Sequence, residues 1–218
     1  MILRCAGEQI QLLPEKAFYW PKEKLLGFSD VHLGKAESLQ QYGIPLPSGS
    51  HSEDLNRMTK LIEKTAAEKI IILGDLIHQK NSWTEKIQND LKKFLQQHDT
   101  VQWTLLIGNH ERGSLQFLQN LPLNLIKNEF VSPPFLFLHG HVTSEATKAT
   151  SFTIQGHIHP VIRMEFGSTR LRLPCFVLTE NSLTLPAFGN LTGGYLIHPT
   201  PKQKIFAIAD QDIFQVKT

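Results

Sequence analysis

The sequence predicts an α/β protein built of two packed, mixed β-sheets with helices outside. Apolar runs of strand length recur along the chain, and in its first half they alternate with amphipathic helical stretches. From Asn124 onward short strands and turns replace the helices. Five of the apolar runs, moreover, end in residue types that bind metal ions.

At 218 residues the chain is long enough for one well-buried core, and one domain over residues 1–218 is expected. Its 41% hydrophobic and 19% charged residues are those of a soluble protein. No apolar run approaches the roughly 20 residues that span a bilayer, so no membrane contact is expected. Met1–Cys5 lacks the basic-then-apolar order of a signal peptide. Cys5 and Cys175 lie far from the histidine clusters and show no ligand spacing. Buried thiols in a reducing, cytoplasmic setting are the expectation. A net charge of +2 tolerates a nucleic-acid partner without arguing for one.

In order, Gln9–Leu13 and Ala17–Trp20 read as an opening hairpin turned by Pro14-Glu15-Lys16. Leu25–Phe28 is a strand, and Lys35–Gln41 a short helix stopped at Tyr42-Gly43-Ile44-Pro45. Ser50 and Glu53 suggest a capping box, after which Leu55, Met58, Leu61 and Ile62 line one face of a helix to about Ala67. Four apolar residues, Ile70–Leu73, read as a strand buried on both faces. Ser82 and Glu85 suggest a second capping box, opening a helix to about His98. Strand Val101–Ile107 and a short helix through Phe117-Leu118 follow. Further strands are read at Leu125–Val131, Phe135–Leu138, Phe152–Ile154, Val161–Phe166, Thr169–Leu178, Leu183–Leu185, Tyr195–Ile197, Ile205–Ala209 and Ile213–Lys217. A Gly167-Ser168 turn would set Arg163 opposite Arg172 and Glu165 opposite Arg170 on one face. Two facing arginines repel unless an anion or solvent lies between them, so both are candidate phosphate contacts.

The strand ends carry the chemistry. They deliver Asp30 and His32, Asp75 and His78, Asn109 and His110, His139 with His141 close behind, and His157 with His159. Seven of the ten histidines fall in these clusters, and ligands in open α/β sheets gather at the carboxyl ends of strands. The candidate metal ligands are Asp30, His32, Asp75, Asn109, His139, His157 and His159, with His141 competing for the place of His139. Imidazole, carboxylate and amide without thiolate suit Mn, Fe or Zn better than Ca or Mg. A carboxylate can bridge two cations, and Asp75, at the end of the most apolar strand, is the candidate bridge. A lone histidine at a strand end is ordinarily a hydrogen-bonded structural residue; the five clusters together are not accounted for that way.

Asp30-x-His32, Gly74-Asp75-x-x-His78, Gly108-Asn109-His110-Glu111, His139-Gly140 and Gly156-His157-x-His159 resemble, in order, the five signature blocks of the calcineurin-like metallophosphoesterases. Four further stretches are similar to a narrower subgroup, the PdeM-like, ligase-associated DNA-damage-response endonucleases of bacteria. They are His32-Leu33-Gly34-Lys35, Gly43-Ile44-Pro45-x-Pro47-Ser48-Gly49, Leu171–Phe176 and Pro186-Ala187-Phe188-Gly189-x-x-Thr192-Gly193-Gly194. The resemblance implies a sandwich of two mixed sheets flanked by helices. It implies two divalent metal ions, Mn with Zn or Fe as alternatives, one held by Asp30, His32, Asp75 and His159 and the other by Asp75, Asn109, His139 and His157.

The resemblance further implies His110 as a catalytic histidine beside the scissile phosphate and His78 as a second histidine facing it. The subgroup reads Asn-His-Asp where this chain has Glu111, so the hold on His110 is expected to differ. The implied activity is endonucleolytic cleavage of DNA, single-stranded or distorted, in DNA repair, with functional ties to a DNA ligase and a helicase. Two ions about 3.5–4 Å apart acidify water and clamp phosphoryl oxygens, which suits phosphodiester hydrolysis. Lys35 and Arg112 lie close enough in sequence to the ligand loops to reach phosphate. A phosphatase or small-substrate phosphodiesterase would use the same ligands. A non-catalytic adaptor of the same fold would have lost the active-site histidines, all present here. The oligomeric state is left open, a homodimer included.

Overall fold

The computed structural model describes residues 1–47, 49–140, 152–166 and 169–217. His141, the Gly167-Ser168 turn and the side chain of Arg112 lie outside what is described. The first sheet runs in chain order: β1 (Ile2–Cys5), β2 (Glu8–Leu13), β3 (Ala17–Trp20), β4 (Leu25–Phe28), β5 (Lys69–Ile72), β6 (Gln102–Leu106) and β7 (Asn124–Ile126). Its first four strands are antiparallel and β4 to β7 are parallel. The parallel strands need crossovers, supplied by α1 (Lys35–Gln41), α2 (Ser50–Thr65), α3 (Glu85–Gln97) and α4 (Leu115–Leu118).

The second sheet contains β8 (Glu129–Ser132), β9 (Phe135–Leu138), β10 (Phe152–Gln155), β11 (Pro160–Phe166), β12 (Thr169–Leu178), β13 (Ser182–Thr184), β14 (Tyr195–Leu196), β15 (Lys204–Ala209) and β16 (Asp212–Val216). It is mixed, with β10 parallel to both β9 and β13. The long β12 pairs with β11 through its first half and with β13 and β15 through its second. Among the described residues the four α-helices precede it in the chain, and they cover the first sheet.

The place of β5 explains why its last three residues are apolar. Ile70 and Ile72 pack with Leu55, Met58 and Leu61 of α2 and Leu91 and Phe94 of α3. Ile71 and the following Leu73 point the other way, into the seam between sheets, against Phe135, Phe137, Ile154 and Phe176. Aromatic rings fill that seam, with Trp20 edge-on to Phe135 at 4.8 Å between centroids.

Three local expectations are corrected. The single strand read at Leu125–Val131 is two, because Asn128 takes a left-handed φ of 66° and carries the chain from the first sheet to the second. Ser50 is the first residue of α2, whose cap is Gly49 at φ 94°, so no capping box forms there. In α3 the cap is Thr84, whose hydroxyl accepts a bond from Ile87 N, while Ser82 belongs to the preceding 3-10 turn.

Candidate metal centre

Each ligand-bearing turn leaves a strand of one of the two sheets, and the turns are bonded to one another. Asp30 N donates to Gly74 O at 3.1 Å, His32 N to Asp75 O at 2.9 Å, and His78 N to Leu33 O at 2.9 Å. The loops after β4 and β5 thus continue the sheet beyond its strands. Asp30, His32, Asp75, His157 and His159 all hold positive φ, between 51° and 71°. Such a backbone costs about 1–3 kcal/mol per non-glycine residue and gathers where a site must aim its side chains. Glycine is required beside it: a Cβ on Gly74 would lie 2.3 Å from His139 Nδ1, and one on Gly156 would overlap Ser29 Oγ.

Two clusters result, each with ligand atoms within 4.8 Å of one another: Asp30, His32 and His159, and Asp75, His139 and His157. Asp75 Oδ2 lies between them, 3.3 Å from His139 Nε2 and 3.9 Å from His32 Nε2. His159 Nε2 comes within 2.9 Å of Asp30 Oδ1, yet both atoms are buried without a hydrogen-bond geometry to satisfy them. Orphaned lone pairs converging on one point are what a cation needs, so the residues fit a metal ion. Asp30 Oδ2 is oriented by Ser29 Oγ and by His157 N, and His139 Nδ1 donates to Leu73 O at 2.7 Å, turning Nε2 inward.

The charges agree with that fit. Burial holds His32 down to about 3, overriding the pull of Asp75 and Asp30, and it also lowers His157. Neutral imidazoles with free lone pairs follow. Burial works against a charged His139, but its hydrogen bond to Asp75 prevails and raises it to about 9. For Asp75 burial likewise opposes the charge, and the His139 contact outweighs it, lowering the carboxyl to about 2. A carboxylate and an imidazolium thus face each other where one cation would sit among both.

Above the ligands stand His78 and His110, their rings stacked at 5.4 Å and each edge-on to His32. His32, His78 and His110 themselves form a third group of close nitrogens. His110 Nδ1 meets His78 O, which leaves Nε2 on the side of the ligand clusters, 3.7 Å from Asp75 Oδ2. Lys35 Nζ lies 3.4 Å from His78 Nε2, so this lysine does reach the centre. Burial first, then Lys35, lower His78 to about 4. Asn109 is exposed in the turn between Gly108 and His110, both of which touch Asp75.

Glu111 was expected to act on His110, and it does not. Fully buried, it accepts bonds from Gly108 N (2.7 Å), Asp75 N (3.1 Å) and Ile77 N (3.1 Å), holding the β5 turn against the β6 turn. Burial, then the charge of Asp75, raise its pKa. The β11–β12 register is as read from sequence: Arg163 faces Arg172, and Glu165 faces Arg170 with a 3.0 Å ion pair. Arg163 and Arg172 are both exposed, and Arg172 donates to Gly194 O at 2.9 Å beside His159. Ser29 and Glu111 are positioning residues that sequence reading passed over as such, since neither shows a ligand spacing.

Comparison with known proteins agrees with the geometry. The family model described as calcineurin-like phosphoesterase matches residues 23–174. The crystal structure of the Pseudomonas putida nuclease MPE is similar over 99% of both chains, at 27% identity and a TM-score of 0.82. Yfce, a phosphoesterase from E. coli, aligns over 88% of this chain and 97% of its own at 17% identity and a TM-score of 0.44. No curated protein matches the chain. Among the described residues no helix is long and apolar enough to cross a membrane. Members of the matched family are dinuclear metal-dependent phosphoesterases, and this chain belongs to it: it is a calcineurin-like phosphoesterase.

Proposed function

We propose that the chain is a DNA endonuclease that uses two divalent ions, Mn with Zn or Fe as alternatives, and acts in DNA repair. The observation that carries this reading is the full-length likeness to a nuclease, joined to the His78–His110 pair above the two ligand clusters. Asp30, His32, Asp75 and His159 would hold one ion, and Asp75, Asn109, His139 and His157 the other. The ions supply Lewis acidity toward the phosphoryl oxygens and acidify water at neutral pH.

The protein's own groups do the rest. With Nδ1 of His110 committed to the His78 carbonyl, a proton passed to the leaving oxygen comes from its Nε2. Lys35, 3.4 Å from His78, adds positive charge where a phosphate oxygen would lie. A single or distorted strand bends into the centre more readily than a stiff duplex. The subgroup resemblance supports ties to a DNA ligase and a helicase, and the free, buried Cys5 and Cys175 support a cytoplasmic location. A covalently closed single-stranded DNA circle tests the reading, since it offers no end to an exonuclease or phosphatase. With Mn²⁺ the wild type should linearise it and His110→Ala should not. A circle that survives while terminal phosphates or small diesters are hydrolysed would replace the endonuclease with a small-substrate phosphoesterase.

A further inference from the structure

Directly beside the first cluster lies a recess of about 260 Å³ that none of the proposed catalytic steps requires. His159, a member of that cluster, forms part of its wall, so the recess adjoins the metal centre. Lys16, Arg172, Asn190, Thr192 and Gly193 supply its other polar surfaces, and among the described residues no carboxylate lines it.

Its polar groups are built for an oxygen-rich anion. Arg172 spends one N–H on Gly194 O, which fixes the guanidinium over the loop and leaves its other donors available. Thr192 Oγ1 is buried without a partner among the described residues. Space above Gly193 is open, since a Cβ there would meet nothing within 4 Å, so backbone can be approached closely. Neither Lys16 nor Arg172 forms an ion pair among the described residues, whereas nearby Arg57 is paired with Asp54 at 3.1 Å. Burial, then Arg57, hold Lys16 down to about 8, with Asp54 pulling the other way, as expected of an ammonium lacking a close counter-ion.

We infer that this recess is a second phosphate subsite, taking the phosphate next to the scissile one on a nucleic-acid strand. The inference rests on the nuclease reading and deepens it. A single-phosphate substrate held at the ligand clusters has nothing to place in the recess. A strand does, and two fixed phosphates would align the scissile bond. Arg163, exposed across β11 from Arg172, would meet the strand farther out.

The test uses oligothymidylate with Mn²⁺, with the phosphate on either side of the scissile position replaced by a neutral methylphosphonate. Wild type should lose about tenfold in kcat/KM for one of the two replacements, the worth of a charge-assisted hydrogen bond. The Lys16→Gln, Arg172→Gln double variant should lose a similar factor on the native strand and nothing more on the replaced one. Its log-log salt dependence should flatten by about 0.7, one phosphate contact on a single strand. Its loss on oligothymidylate should also exceed its loss on bis(p-nitrophenyl) phosphate by about tenfold. Equal methylphosphonate costs in wild type and double variant would overturn the subsite while leaving the nuclease standing. Oligothymidylate left intact by a wild type that hydrolyses bis(p-nitrophenyl) phosphate would overturn both.

Discussion

The carboxylate of Glu111 accepts a hydrogen bond from the backbone nitrogen of Asp75 at 3.1 Å, although 36 residues separate them. The same group takes two more backbone N–H bonds, so three of its roughly four acceptor sites go to the ligand turns. Glu111→Gln turns one acceptor into a donor facing a donor. It should cost about 2–3 kcal/mol, since a charged acceptor is lost inside the protein. Denaturant unfolding, with metal content measured alongside, checks this. An unchanged midpoint with full metal occupancy would show that the turns hold without it.

Asp75 belongs to the second cluster, 3.3 Å from His139, and also comes within 3.9 Å of His32 in the first. Asp75→Ala should lose both ions and all activity, whereas Asn109→Ala should weaken one ion. Metal counting on the purified variants decides it. Two ions retained in Asp75→Ala would remove its bridging role.

For His110 the expectation is a separation of binding from catalysis. His110→Ala should keep both ions and lose on the order of 10²–10⁴ in kcat. Loss of an ion instead would make it a ligand. His78→Ala should also keep the ions while lowering the ratio of diester to monoester hydrolysis, and an unchanged ratio would argue against a role in substrate choice.

The two thiols should be silent. Burial pushes Cys5 up to about 11 and Cys175 up to about 12. At pH 8 neither should react with a thiol reagent until the chain unfolds. The unfolded thiols ionise near 9 and the folded ones above that. The unfolded state therefore binds fewer protons between about pH 9 and 11, and stability should fall as pH rises through that window. Rapid labelling of the native protein at pH 8 would contradict the burial.

What the sequence made legible was the part with period or spacing. The alternation of Ile70, Ile71 and Ile72 between two cores shows as an unbroken apolar run, and the ligands follow such runs. Strand β1 escaped because Cys5 is its one buried residue, too little to give a pattern. The break at Asn128 was passed over although the polar triplet Lys127-Asn128-Glu129 interrupts the apolar residues there. Glu111 was seen, but its partners are backbone nitrogens, which leave no mark in a sequence. The positive φ of five ligand residues is likewise invisible there, because aspartate and histidine are not turn signals on their own in the way glycine is.

The change of sheet at Asn128 has a mechanical side. Before it, the chain supplies Asp30, His32 and Asp75; after it, His139, His157 and His159. Each cluster therefore takes residues from both sides of the aromatic seam, and an ion held in either would act as a rivet through the two layers. Binding energy spent there is clamping force on the whole sandwich. Stripping the metal with a chelator should then soften the joint itself, seen as a lower Tm and faster amide exchange in β5 and β9 together.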